Sequence, residues 1–329
     1  MGLEVILTIF VASLHLYWVN GEPPLASPQV PCFFIFGDSL SDSGNNNNLV
    51  TLARANFQPY GIDFPDGPTG RFTNGRTTVD IIGDHLGLKS YIKAFPIVKE
   101  QEIVDGVNYA SGSSGILPET GFQVGERIGL DQQLRNHKQI VSRIQSKLGQ
   151  NNSAAHLNQC LYSVNVGSND WMFNYFLRAP PIVQSPPQAY ADSLITQLSG
   201  QLNTLYDLGA RKVILFGVGP LGCLPVLNPQ GTCSKFINDI LEMYNTKLRS
   251  LVDTFNKNHT DAKFIWINTM EIVSPNNLQG LVFYDRGDRA YWDQAHPTEA
   301  ANIVLAGRAF KALNSTDAYP MDISGLAQL

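Results

Sequence analysis

Three side chains far apart in this chain have the chemistry of a nucleophile, a base and an orienting acid. Ser39 follows Phe33-Phe34-Ile35-Phe36-Gly37-Asp38, where four apolar residues run straight into a small polar turn. A serine hydroxyl is a weak nucleophile until an adjacent base takes its proton. Histidine is the usual base, and a carboxylate orients it and stabilises the imidazolium. Asp293 and His296 stand three residues apart in Tyr291-Trp292-Asp293-Gln294-Ala295-His296-Pro297-Thr298-Glu299, a spacing that puts both on one turn. Acyl transfer also needs donors for a developing oxyanion. The candidates are the backbone N–H of Ser39, the backbone N–H of Gly112 and the side-chain amide of Asn169. Taken singly, each has a plainer reading: a turn serine, a turn glycine, an Asx-turn asparagine or a helix-capping histidine. Their chemistry depends on the fold bringing them together.

The elements that must do so are legible as periodicities. A continuous apolar run ended by Gly-Asp-Ser reads as a strand buried on both faces, with Ser39 just past its carboxyl end. Further strands are expected at Asp105–Ala110, Cys160–Val166, Lys212–Phe216 and Lys263–Ile267. Helices are expected at Thr77–Leu86, Ile128–Leu148, Pro186–Gly209 and Ser234–Lys257. A final helix, with Pro297 at its first position, is expected to run to Leu313. Alternating strands and helices predict one α/β domain, a doubly wound parallel five-stranded sheet with helices on both faces. Ligands in such sheets bind beyond the strands' carboxyl ends. Ser39, Gly112 and Asn169 all fall in small-residue turns at that edge. Of six histidines, His85 and His137 fall in expected helices and His156 and His259 in polar stretches, while His296 has the carboxylate neighbour. The segment from Asn45 to Gly75 is too rich in Gly and Pro for regular structure. A loop this long is usually functional, and Phe57, Tyr60, Phe64 and Phe72 suit it to walling a pocket. Trp171–Phe176 and residues 275–290 are further candidate walls.

The 329 residues carry a net charge of −5, which argues against a nucleic-acid partner. Residues 1–21 read as a secretory signal peptide, with an apolar, uncharged run from Val5 to Val19 and small residues at Asn20-Gly21. The alternative, a retained anchor, needs a longer run of about 20 residues. Residues 22–31 read as an extended segment leading into a hydrolase domain at 32–329, with no transmembrane span once the leader is removed. In an oxidising compartment the four cysteines should pair. Cys223 and Cys233 bracket a Pro/Gly/Asn loop and form the natural local pair. Cys32 and Cys160 each precede an apolar run and lie within reach if those runs are adjacent parallel strands; otherwise they are two buried thiols. Neither pair has zinc-site spacing with nearby histidines. Asn151, Asn258 and Asn314 open glycosylation triplets in polar stretches, as surface loops would carry them.

Several blocks, in order, resemble the plant-type GDSL esterase/lipase family of SGNH hydrolases. They are Phe36-Gly37-Asp38-Ser39-Leu40 with Asp42, Gly44 and Asn45–Asn47; Gly70-Arg71-Phe72-Thr73-Asn74-Gly75; Asn108-Tyr109-Ala110-Ser111-Gly112; Val166-Gly167-Ser168-Asn169-Asp170; and Asp293 with His296-Pro297-Thr298-Glu299-Ala300-Ala301-Asn302. The resemblance implies Ser39 as nucleophile, His296 as base, Asp293 as its partner, and Gly112 and Asn169 as oxyanion donors. It implies a flavodoxin-like sheet in the order 2-1-3-4-5, which sets the third strand beside the first and supports a Cys32–Cys160 bridge. The family usually has Ser-Gly-Gly-Ala-Gly where this chain has Ser111-Gly112-Ser113-Ser114-Gly115, so Gly115 and Gly61 stand as alternative donors. Asp38 is read as shaping the turn, outside the triad. The expected protein is a secreted, monomeric carboxylic ester hydrolase that needs no metal or cofactor. Its expected substrate is a small-molecule, lipid or cell-wall ester, and in a plant its place is the cell wall or apoplast. An acyltransferase using the same acyl-enzyme, or a non-catalytic binding protein of this fold, are the alternatives.

Overall fold

A computed structural model describes residues 28–178, 185–230, 232–278 and 290–329. The expected leader, most of the 22–31 segment and much of the 275–290 wall lie outside these residues.

The sheet is built on β1 (Phe33–Gly37), β2 (Leu161–Asn165), β3 (Lys212–Phe216) and β4 (Lys263–Ile267), side by side in that order and all parallel. Side chains alternate between faces along a strand, and here both faces are apolar. Phe34, Phe36, Val213, Leu215 and Phe264 enter one core, against helices Leu130–Leu148, Pro187–Asp207 and Lys235–Asn258. Phe33, Ile35, Ile214, Phe216 and Ile265 enter the other, against helices Thr78–His85, Glu299–Phe310 and Ile323–Ala327. Burial on both faces is why the strands read as unbroken apolar runs.

Two features of the sheet differ from the sequence expectation. The fifth strand, β5 (Ala318–Tyr319), pairs antiparallel with β4 and was not foreseen. The expected strand 105–110 does lie beside β1 as a parallel neighbour, through Phe33 N–H to Asp105 O, Ile35 N–H to Val107 O and Tyr109 N–H to Ile35 O. Its bridge to β1 is between Ile35 and Asn108, and beyond it Ser111 N–H donates to Gly37 O at 3.0 Å. Gly106 has φ +122°, where an added Cβ would lie 2.0 Å from Phe33 O, and the Gly37 N–H donates to Gln133 Oε1 at 3.0 Å.

The expected helices form with small shifts, and Gln150–Gln159 is one of several further helices. It holds His156, expected in a polar surface stretch, and Asn151, expected in a surface loop. Asn151 is exposed, but the Ser153 of its triplet is buried and donates to Gln150 O. The helix expected from Pro297 starts at Glu299 instead and ends at Phe310. Residues Ala290 to Thr298 form a hairpin instead, through Trp292 N–H to His296 O and Thr298 N–H to Ala290 O, and Pro297 lies in its bridge to Tyr291. Thr298 therefore caps the helix, accepting from Ala301 N–H. The cysteines pair as Cys32–Cys160, tying β1 to β2 at one end, and as Cys223–Cys233.

Candidate active site

Ser39 is placed by the end of β1. Gly37 there has φ +150°, and an added Cβ would sit 2.3 Å from Asn165 O on the neighbouring strand. Only a glycine lets the chain turn this close to β2. Asp38 closes the turn, its Oδ1 accepting from Leu40 N–H at 3.0 Å and its backbone carbonyl from Ser41 and Asp42. Burial pushes the Asp38 carboxyl up to about 7, against the Leu40 N–H and the charge of His296, and its Oδ2 is buried without a partner.

Asp293 and His296 occupy the tip of the 290–298 hairpin. Asp293 Oδ1 accepts the backbone N–H groups of Ala295 and His296, both at 2.8 Å, which fixes the carboxylate within its own turn. His296 Nδ1 lies 2.7 Å from Asp293 Oδ2, and Nε2 lies 2.8 Å from Ser39 Oγ. With its proton on Nδ1, the ring donates to the carboxylate and its Nε2 accepts from the serine. The structure thus joins in one hydrogen-bonded chain three side chains that the sequence spreads over more than 250 residues. Burial alone would raise the Asp293 carboxyl. The hydrogen bond and charge of His296 outweigh it, with help from Ala295 N–H and Tyr60, and hold it well below the usual carboxylate range.

Tyr60 is the site residue that sequence reasoning missed. Its hydroxyl donates to Asp293 Oδ2 at 2.7 Å. Its own ionisation is pushed up by burial first and then by that carboxylate. The signal was faint: Tyr60 stood among the aromatics of a loop expected to wall a pocket, and nothing local named its partner. The same loop brings Phe72 to 4.9 Å from the His296 ring. It is clamped to the helix that follows the hairpin. Asn74 Oδ1 accepts from Glu299 N–H, Arg76 pairs with Glu299, and Asn302 Nδ2 donates to Arg76 O.

The donor expected at Gly112 is corrected. Its N–H donates to Asp42 Oδ2 at 2.9 Å, and its carbonyl accepts from Asn46 Nδ2. Asp42 also accepts from Gly44 and Asn45 N–H, so the Asp42–Asn46 run is a brace for the 108–112 segment. Among the described residues no acceptor meets the backbone N–H of Ser113 or of Ser39. Ser113 has φ +63°, rare for a residue with a side chain. Both serines line one cleft with Asn169 and His296. Asn169 Nδ2 donates one hydrogen to Ser114 O at 2.9 Å and keeps the other. Gly115 packs against Asp170 and Thr120, and Gly61 against Gly67. Neither glycine lines the cleft.

The remaining walls are mostly apolar, with Leu52, Phe57, Phe72, Met172, Phe173 and Leu224, while Arg54 and Ser168 also line the cleft. Met172 and Phe173 come from the expected Trp171–Phe176 wall, whereas Trp171 itself is core.

A family model described as GDSL-like Lipase/Acylhydrolase matches residues 33–309 of the chain. Two GDSL esterase/lipases of Arabidopsis thaliana are 46% and 44% identical to it, each over 92% of this chain and 93% of its own length. A third is 37% identical over 100% of this chain and 99% of its own length. Among solved structures, an acetylxylan esterase from Geobacillus stearothermophilus aligns at 14% identity and a TM-score of 0.43, covering 84% of this chain and 91% of the other. That likeness is too loose to argue from.

Proposed function

Since the chain belongs to the GDSL-like lipase/acylhydrolase family and is a carboxylic ester hydrolase, we propose that it works through a Ser39–His296–Asp293 triad and an acyl-enzyme. Ser39 Oγ attacks the ester carbonyl while His296 Nε2 takes its proton. The oxyanion is met by the free Ser39 and Ser113 N–H groups and the second hydrogen of the Asn169 amide. His296 then returns the proton to the departing alcohol. Water, activated by the same nitrogen, releases the acid and restores Ser39. Asp293 stays ionised and holds the imidazole on its Nδ1 side. The observation that carries this reading is the chain of contacts from Ser39 Oγ through His296 to Asp293 Oδ2, at 2.8 and 2.7 Å.

Ser39→Ala tests it. Hydrolysis of short p-nitrophenyl esters is expected to vanish with the thermal transition unchanged, and turnover retained in that variant would sink the mechanism. The reading extends to location. Residues 1–21 direct secretion and are removed, and the mature chain acts as a monomer on small-molecule, lipid or cell-wall esters. Two disulfides support an oxidising compartment. Among the described residues no helix is long and apolar enough to cross a membrane.

A further inference from the structure

The rim of the cleft carries a short two-stranded ribbon whose alternation is inverted. Thr51 and Gly125 form an antiparallel bridge, supported by Leu52 N–H to Val124 O at 2.8 Å and Glu126 N–H to Val50 O at 2.9 Å. In such a ribbon, residues 50 and 52 share one face and residue 51 takes the other. A ribbon on a protein surface normally turns its apolar residues inward and its polar ones outward. Here Thr51 is the inward residue, 8% exposed and donating to Val124 O, while Val50 and Leu52 stand 81% and 85% exposed. Phe122, at the end of the facing segment, is 66% exposed, and Phe57, further along the loop, is 54% exposed.

We propose that this rim is a docking surface for an ester-bearing lipid interface. The enzyme settles on aggregated long-chain esters and draws single molecules into the cleft from there. Three observations select that occupant. First, the patch is continuous with the cleft, since Leu52 and Phe57 belong to both. Whatever covers the patch is therefore delivered to Ser39. Second, Arg54 is exposed at the same mouth and forms no ion pair with a described residue, a cation suited to headgroup phosphate. Third, the four side chains offer on the order of 500 Å² of apolar surface, the size of the largest patch on a typical monomer, which is often functional. It falls short of the roughly 800 Å² per partner of a stable dimer. Binding to a lipid interface scales with the apolar area buried at the headgroup boundary and with the attraction of cations to headgroups. The inference rests on the esterase reading for the direction in which the patch leads, but docking itself needs no turnover.

The test compares the full mature chain with Val50→Ser/Phe122→Ser, two residues outside the cleft lining. The probe is a triolein emulsion coated with phosphatidylcholine. Wild type is expected to float with the emulsion, and the double variant to partition at least tenfold less. The variant's rate on soluble p-nitrophenyl acetate should stay within twofold of wild type, which also certifies its fold. Phe122→Ser alone, which leaves the ribbon's hydrogen bonds untouched, is expected to lose about threefold. Ser39→Ala should float like wild type, so a failed triad and a failed docking surface give different results. Equal partition of wild type and double variant, or a wild type that stays in the water phase, overturns the proposal. So does sedimentation showing a dimer that the double variant abolishes, because the occupant is then a second copy.

Discussion

The Tyr60 hydroxyl donates to Asp293 Oδ2 at 2.7 Å, across 233 positions of sequence. Asp293 is therefore gripped from three sides: by its own turn, by His296 and by the irregular loop that closes over the cleft. The loop thus holds the carboxylate that holds the His296 ring, in addition to walling the cleft.

Tyr60→Phe keeps the ring and its edge contacts with Phe57 and Phe72 while deleting one hydrogen bond to a charged group. Such a bond is worth about 1.5–3 kcal/mol. On a small soluble ester we expect kcat to fall by about tenfold with KM unchanged, because Tyr60 acts through Asp293 and not on the substrate. A rise in KM at constant kcat would make Tyr60 a binding wall instead.

Asn169→Ala removes the side-chain amide to which the proposed mechanism gives the oxyanion and is expected to lower kcat by about 10²–10³, the usual cost of one such donor. Ser113→Ala keeps the backbone N–H that the proposed mechanism uses and is expected to stay within a few-fold of wild type. Steady-state rates on one ester decide both. A collapse in Ser113→Ala would transfer the role to its hydroxyl, whose oxygen is buried without a partner.

Asp38 gives a pH prediction with a definite sign. Burial pushes its carboxyl from 3.8 up to about 7. Between those values the folded chain binds more of this proton than the unfolded chain. Its contribution to stability is therefore full below the lower value and lost as pH rises through the upper one. Asp38→Asn keeps an acceptor for Leu40 N–H and removes the buried charge. The thermal midpoint of the variant should gain on wild type by several degrees between pH 5 and pH 8. The depressed carboxyls Asp80 and Asp293 slope the other way, but both chains carry them and they cancel in the difference. A midpoint difference that is flat with pH would contradict this account.

The two disulfides should differ in worth. Cys32–Cys160 closes 128 residues and Cys223–Cys233 closes 10. By loop-closure entropy the first contributes about 4–5 kcal/mol and the second about 3. Denaturant titration of Cys32→Ala/Cys160→Ala and Cys223→Ala/Cys233→Ala should rank them in that order, and the reverse order would point to packing as the larger effect.

A local pattern encodes the strands and the two turns of this chain. Phe33–Phe36, Val213–Phe216 and Phe264–Ile267 are apolar on both faces, and that alone specifies strands under helices on two sides. The Gly-Asp-Ser turn and the Asp-x-x-His turn likewise carry their chemistry within a few residues. Tertiary structure decided what depends on a distant partner. The Gly112 N–H looked available until Asp42, 70 residues earlier, was found accepting it. The 105–110 segment lies along β1, but the Gly37 N–H is drawn off to Gln133, 96 residues later. Pro297 was drawn from a helix into a hairpin by a bridge to Tyr291. Tyr60 became part of the site because a loop without secondary structure was clamped at Asn74 and Arg76 to the helix behind His296. Periodicity and turn chemistry report on neighbours along the chain. A hydrogen bond over 233 residues leaves no periodic trace, because its geometry is fixed only when both segments have docked on the sheet.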